Sequence, residues 1–293
     1  MILMKKWQSI GIIFILYVLA FFGGLYSITY LNEPIWFEVF VFDIVMTIII
    51  YLFSLLLKNA SLYDPYWSVI PPILMIYVMI ELNAFGFLNI VMLSVLSVWA
   101  IRLTYNWSKN FDSFKHQDWR YDLIKEKTKR LFPLANFLGI QLFPTLIVYA
   151  QIYVIIAVAE LNLDLGLFAL IPSLVVLISV YIQFVSDKQM YEFRQQTVKK
   201  RVIDTGLWQY SRHPNYFGEI MVWWGMYLFY FSATMRFDFL ITAPILMTLL
   251  FVFISIPMME QKILSTRPEY KDYQATTSML IPLFQRKAIK DYK

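Results

Sequence analysis

The chain contains no cysteine in 293 residues, which excludes a disulfide framework, a thiolate metal site and a cysteine nucleophile, and leaves the redox compartment unread. Histidine is nearly as scarce. Only His116 and His213 occur, far apart in sequence, which argues against a histidine-built metal centre. Charge is sparse at 15% of residues, against about a quarter in ordinary soluble domains, while 59% are hydrophobic and 18% aromatic. There is no internal repeat, no low-complexity tract and no strand-linked G-x-G-x-x-G fingerprint. What remains is the composition of an integral membrane protein. The net charge of +5 is read as helix-flank charge that records orientation, not as a nucleic-acid footprint.

A bilayer core takes roughly 20 apolar residues per helix, and the hydrophobic runs predict an all-α polytopic bundle of about eight spans, within a range of about seven to ten. They lie at about 9–31, 35–57, 66–82, 86–104, 136–159, 165–184, 216–235 and 238–258. The first run is too long, and lacks the small-residue site, for a cleaved signal. Residues 1–293 therefore read as a single transmembrane domain. An even span count puts both termini, the 105–133 loop and the 185–214 segment on one side. Of the 25 Lys and Arg residues, only Arg236 then falls opposite, so the termini are expected in the cytoplasm.

Several polar clusters need a reason. In "GLWQYSRHPNYFGE", Pro214 suits the first position of a helix, with His213 near its cap and Asn215, Tyr216 and Glu219 in the opening turns. A helix N-terminus attracts anions such as phosphate, and Arg212 and His213 would reinforce it. The alternative is an interfacial belt of Trp208, Tyr210, Arg212 and Tyr216, although Asn215 and Glu219 are not belt residues. In "VYIQFVSDKQMYEFRQQTVKKR", Gln183, Asp187, Met190 and Arg194 share one helical face. That face is either a solvated helix end or a clamp, with Asp187 accepting sugar hydroxyls and Arg194 forking a phosphate. The tail carries Glu260, Lys262, Arg267, Tyr270 and Tyr273, as an amphipathic interfacial helix or as part of the same polar site.

Acidic residues within or beside spans are functional candidates by default. Glu38 and Asp43 fall in the second span, and Asp64 opens the third in "DPYWS", where a helix-start cap is the plainer reading. The loop motif "DWRYD", Asp118 to Asp122, mixes both charge signs beyond what solubility requires.

"GLWQYSRHPNYFGE", "DPYWS", "DWRYDLIKEK" and "RPEYKDYQATTSMLIP" together resemble the steroid 5α-reductase-like membrane reductases, in particular their bacterial, DUF1295-like multi-span branch. The resemblance covers about 60–293 and is strongest from about 183 onward. It implies a membrane oxidoreductase, in a bacterial inner membrane, that binds NADPH at the cytoplasmic face and reduces a lipid C=C bond conjugated to a carbonyl. The cofactor region would be about 183–293, with Gln183, Asp187, Arg194, Arg201, Tyr210, Arg212, His213, Asn215, Tyr216, Glu219, Glu260, Lys262, Tyr270 and Tyr273 as its contacts. Arg194, Lys199, Lys200 and Arg201 favour NADPH over NADH, through its 2′-phosphate. A carbonyl-polarising acid and tyrosine are expected from the resemblance, with Asp64, Tyr66 and Tyr105 the candidates. The rival reading is an S-adenosylmethionine-dependent membrane methyltransferase, whose isoprenylcysteine and phospholipid types share an R-H-P-x-Y-x-G stretch. A non-catalytic transporter or lipid-binding protein is the third.

Overall fold

The computed structural model describes residues 5–115, 117–163, 166, 169–196 and 202–285. Among the described residues there is helix and no strand. The chain divides into two units, residues 1–165 and 166–293.

The first unit opens with α1 (Lys6–Ile28) and α2 (Ile35–Leu57), which pack on each other. A short 3-10 turn, Ala60–Tyr63, leads into α3 (Tyr66–Glu81) and α4 (Phe87–Asn110). Then come α5 (Trp119–Thr128), the single turn α6 (Phe132–Ala135), a π-helical segment (Asn136–Leu142) and α7 (Phe143–Leu161). Helix α3 packs against both α4 and α7, and α2 also meets α7. The second unit holds α8 (Leu170–Gln195), α9 (Pro214–Thr234), α10 (Thr242–Leu250), α11 (Ile256–Thr266) and α12 (Tyr270–Thr276). A second π-helical segment, Phe251–Ser255, joins α10 to α11.

Both π-helical segments run into a proline, Pro144 and Pro257. Proline has no N–H to offer the carbonyl four residues back, and its ring collides with that carbonyl. Those carbonyls belong to Ile140 and Phe253, inside the two widened segments, where an added residue per turn relieves the clash.

Large apolar side chains face outward, among them Phe14 at 69% exposure, Leu56 at 74% and Ile101 at 70%. Such a surface is stable in lipid and not in water. Among the described residues, six helical runs are long and apolar enough to cross a membrane: Lys6–Ile28, Ile35–Leu57, Phe87–Asn110, Trp119–Leu161, Leu170–Gln195 and Phe239–Thr266. The protein is integral to a membrane. Helices also stand at the other two expected positions. One, α3, is 16 residues long, and α9 has 21 residues but carries Trp223, Trp224 and three tyrosines, which dilute its hydropathy.

Candidate functional site

In the second unit the segment before α9 is fixed by its neighbours. Gly206 adopts a positive φ of 63°, and a Cβ there would overlap the Gln189 side chain, whose Oε1 accepts from the Leu207 amide at 3.0 Å. Trp208 donates its indole N–H to the Ser186 carbonyl at 3.2 Å, which docks the turn on α8. Pro214 is the first residue of α9 and His213 its cap, as the sequence indicates.

Arg212 points into the tail. Its Nε donates to Glu260 Oε1 at 2.7 Å, and its Nη1 donates to the carbonyls of Gln274 and Thr277, both at 2.9 Å. Glu260 also meets His213 Nε2 at 3.0 Å, Gln274 Nε2 at 2.7 Å and the Tyr270 hydroxyl at 3.3 Å. One carboxylate therefore gathers four side chains from the turn and the tail. Further bonds bind the tail down: the Arg212 amide to Ser278 O, Ser211 Oγ to Leu280 O, and the Leu283 amide to Tyr210 O. Tyr273 donates to the carbonyls of Trp208 and Ser211. Burial pushes the Tyr270 and Tyr273 phenols above their usual range, so both stay protonated donors. The His213 ring stacks on Tyr216 at 5.3 Å.

A second polar group lies where α8 and α9 touch. A Cβ on Gly218 would stand 2.8 Å from the Ser179 carbonyl oxygen, so only glycine permits this approach. There Gln183 Nε2 donates to Glu219 Oε2 at 2.8 Å, and Trp223 Nε1 donates to Glu219 Oε1 at 3.3 Å. Gln183 and Glu219 are 1% and 5% exposed, and the side-chain amide oxygen of Gln183, Oε1, is buried without a partner among the described residues. Burying an amide acceptor unpaired carries a cost, so this oxygen stands out beside the buried carboxylate.

The remaining cofactor candidates are more dispersed. Asp187 is half-buried one turn after Gln183, and Asn215 is half-buried in the first turn of α9. Arg194, in the last turn of α8, and Lys262, on α11, are exposed. Tyr210 packs against Phe284 at 5.7 Å. Arg201, like Lys199, Lys200 and His116, lies outside the described residues.

In the first unit the structure joins the two motifs that stood out separately. Tyr121 of "DWRYD" donates to Asp64 of "DPYWS" at 2.5 Å, and the Asp118 amide donates to Ser61 Oγ at 2.8 Å. Asp118 caps α5 through the Arg120 amide at 2.9 Å and pairs with the Arg120 guanidinium at 2.8 and 2.9 Å. The cap reading of Asp64 fails: α3 starts at Tyr66 with Pro65 at its cap and no side-chain cap bond. Burial pushes the Asp64 carboxyl up to about 6, while the Tyr121 hydroxyl and the Arg120 charge pull it back.

Tyr66 is buried and makes a contact the sequence did not disclose. Its hydroxyl donates to Asp43 Oδ1 at 2.7 Å, and its ring stacks on Tyr63 at 5.1 Å. Asp43 is 1% exposed. The signal for Asp43 was an acid in an apolar span; its tyrosine partner depends on how α2 and α3 align, which periodicity leaves open. Tyr105 is 60% exposed on α4, with the Lys109 ammonium 5.5 Å from its ring.

The family model for proteins of unknown function DUF1295 matches residues 50–277, and the chain belongs to that family. It is also similar to the uncharacterised protein C594.04c of Schizosaccharomyces pombe, at 23% identity over 198 residues, 59% of this chain. The match spans 58% of that relative's length. No solved structure matches the chain.

Proposed function

We propose that this protein is a membrane reductase that reduces the C=C bond of a lipid enone with NADPH, and that it belongs with the steroid 5α-reductase-like enzymes. The observation that carries the reading is the buried pair of Tyr66 and Asp43 at 2.7 Å. A phenol backed by a carboxyl group, away from water, suits the polarising of a carbonyl oxygen. With Asp43 protonated, its O–H donates to the Tyr66 oxygen, and Tyr66 is free to turn its own proton to the substrate. The enolate oxygen that develops as the bond is reduced is then stabilised by that donor.

The cofactor fits the second unit on one count. The unpaired acceptor of Gln183, beside Glu219, matches a carboxamide that carries N–H donors. NADPH when bound supplies the hydride, and the protein supplies binding, orientation and exclusion of water. Gln183 and Glu219 would hold the nicotinamide amide, with Asp187 and Asn215 close along the same two helices. The basic-residue asymmetry supports a cytoplasmic side for the termini and long polar loops, where NADPH is available, and the proposed membrane is a bacterial inner membrane.

The test is a titration of detergent-purified protein with NADPH and, separately, with S-adenosylmethionine. Saturable NADPH binding is expected, weakened in Gln183→Leu. Tyr66→Phe is expected to keep binding while losing NADPH oxidation on an isoprenoid enone. Binding of S-adenosylmethionine without NADPH would overturn the reading in favour of a methyltransferase.

A further inference from the structure

Asp43 is the inner end of an unbroken row of hydroxyl groups. Tyr63 Oη lies 2.7 Å from Thr145 Oγ1, which lies 3.0 Å from Thr47 Oγ1. Thr47 Oγ1 donates to Tyr66 Oη at 3.3 Å, and Tyr66 Oη donates to Asp43 Oδ1 at 2.7 Å. In the first two contacts either oxygen can be the donor, so all four bonds orient in one direction, toward Asp43. The five residues are between 0% and 4% exposed. They come from α2, the 60–63 turn, α3 and α7, so three helices and a turn have to be in register for the row to exist. Four of the five are neutral groups that both donate and accept, the property proton hopping requires. The outer end, Tyr63, sits in the turn between the second and third hydrophobic runs, immediately before the half-exposed Asp64.

We propose that Tyr63, Thr145, Thr47 and Tyr66 form a proton relay that protonates Asp43 from the boundary turn. A proton arriving from water at the Tyr63 oxygen releases the Tyr63 proton to Thr145. Thr145 passes its own to Thr47, Thr47 to Tyr66, and Tyr66 to the Asp43 carboxylate. Each hydroxyl breaks one O–H bond and forms another, no electron changes hands, and the net result is one proton moved from water to Asp43. The proposal deepens the reductase reading and rests on it for its purpose: each reduction consumes a proton at the acid pair, and a group shielded from water needs a route for its replacement.

The experiment follows hydrogen–deuterium exchange at the Asp43 carboxyl itself, by infrared spectroscopy of protein carrying 13C-labelled aspartate. The C=O band of protonated Asp43 is assigned by its loss in Asp43→Asn. In the intact protein this band is expected to shift promptly on transfer to D2O. Thr145→Val and Thr47→Val, which keep the shape and remove the hydroxyl, are expected to slow the shift on the order of 100-fold, the scale of a lost positioned proton-transfer group. Thr145→Ser and Thr47→Ser are expected to restore it, which a purely structural role of the hydroxyls does not require, since loosened packing would speed exchange. Unchanged or faster exchange in the valine variants overturns the relay. So does the lack of any protonated Asp43 band down to the lowest pH at which the protein stays folded. Slowed exchange without NADPH binding keeps the relay and rejects the reductase; NADPH oxidation with unaltered exchange does the reverse.

Discussion

Arg212 and Glu260 stand 48 positions apart in the chain and meet at 2.7 Å, each side chain only 11% exposed. One residue precedes α9 and the other lies on α11, so the pair fastens the second unit's turn to its tail. A buried pair broken on one side leaves an unpaired charge, at a cost of several kcal/mol. Glu260→Gln and Arg212→Met are each expected to destabilise the protein by about 3 kcal/mol. The double variant should lose less than the sum of the two. Thermal unfolding in detergent checks this, and strictly additive losses would reject the coupling.

Gly218 allows the contact that places Gln183 beside Glu219. Gly218→Ala puts a methyl group 2.8 Å from the Ser179 carbonyl, which is backbone and has little room to yield. The expected cost is about 1–3 kcal/mol from overpacking, with weaker NADPH binding as the two helices part. Gly139→Ala, where a Cβ meets nothing within 4 Å, is the control and should leave binding unchanged.

Asp64 predicts a pH effect whose sign is unusual for a carboxylate. Its folded value lies near 6, above the ordinary 3.8, so the folded state holds the proton more tightly than the unfolded chain. The stabilisation is complete below the ordinary value and is lost as pH rises from about 4 to about 6. Because the Tyr121 hydroxyl pulls the value down, Tyr121→Phe should raise it further and move the loss to higher pH. A carboxyl titration of the 13C-labelled side chain, read against Asp64→Asn, measures both. A value that falls in Tyr121→Phe would contradict the arrangement.

The lack of native cysteine makes the topology directly testable. Single cysteines at Lys5, Lys58 and Arg236 report their own side of the membrane. The first two should react with an impermeant maleimide only from the cytoplasmic side, and Arg236→Cys only from the opposite side. Reaction of all three from one side would reject the eight-span orientation.

Each of the eight hydrophobic runs carries a helix among the described residues, and six of these helical stretches are long and apolar enough to cross a membrane, where a helix lets the backbone satisfy itself. Their ends were less legible. Helix α4 runs through "TYNWSKN" to Asn110, since hydropathy marks where lipid stops, not where helix stops. The start of α9 at Pro214 was readable because proline and a cap are local chemistry. The pairings were not readable. Asp64 with Tyr121, Asp43 with Tyr66 and Arg212 with Glu260 all depend on the rotation and rise of one helix against another. Sequence periodicity fixes each helix's faces and leaves the matching of faces undetermined.

Asn136 and Gln141 both donate to Ser54 Oγ, at 3.1 and 2.9 Å, from within the π-helical segment that precedes Pro144. An inserted residue turns everything before it by about 100° relative to an unbroken α-helix. Pro144 acts as a register key: by favouring the widened turn ahead of it, it keeps these two amides turned toward Ser54. Pro144→Ala would let the segment rewind to the α-helical period, which sets residues five apart about 140° from each other, and the two amides would lose the face they share, as a key turned in its lock.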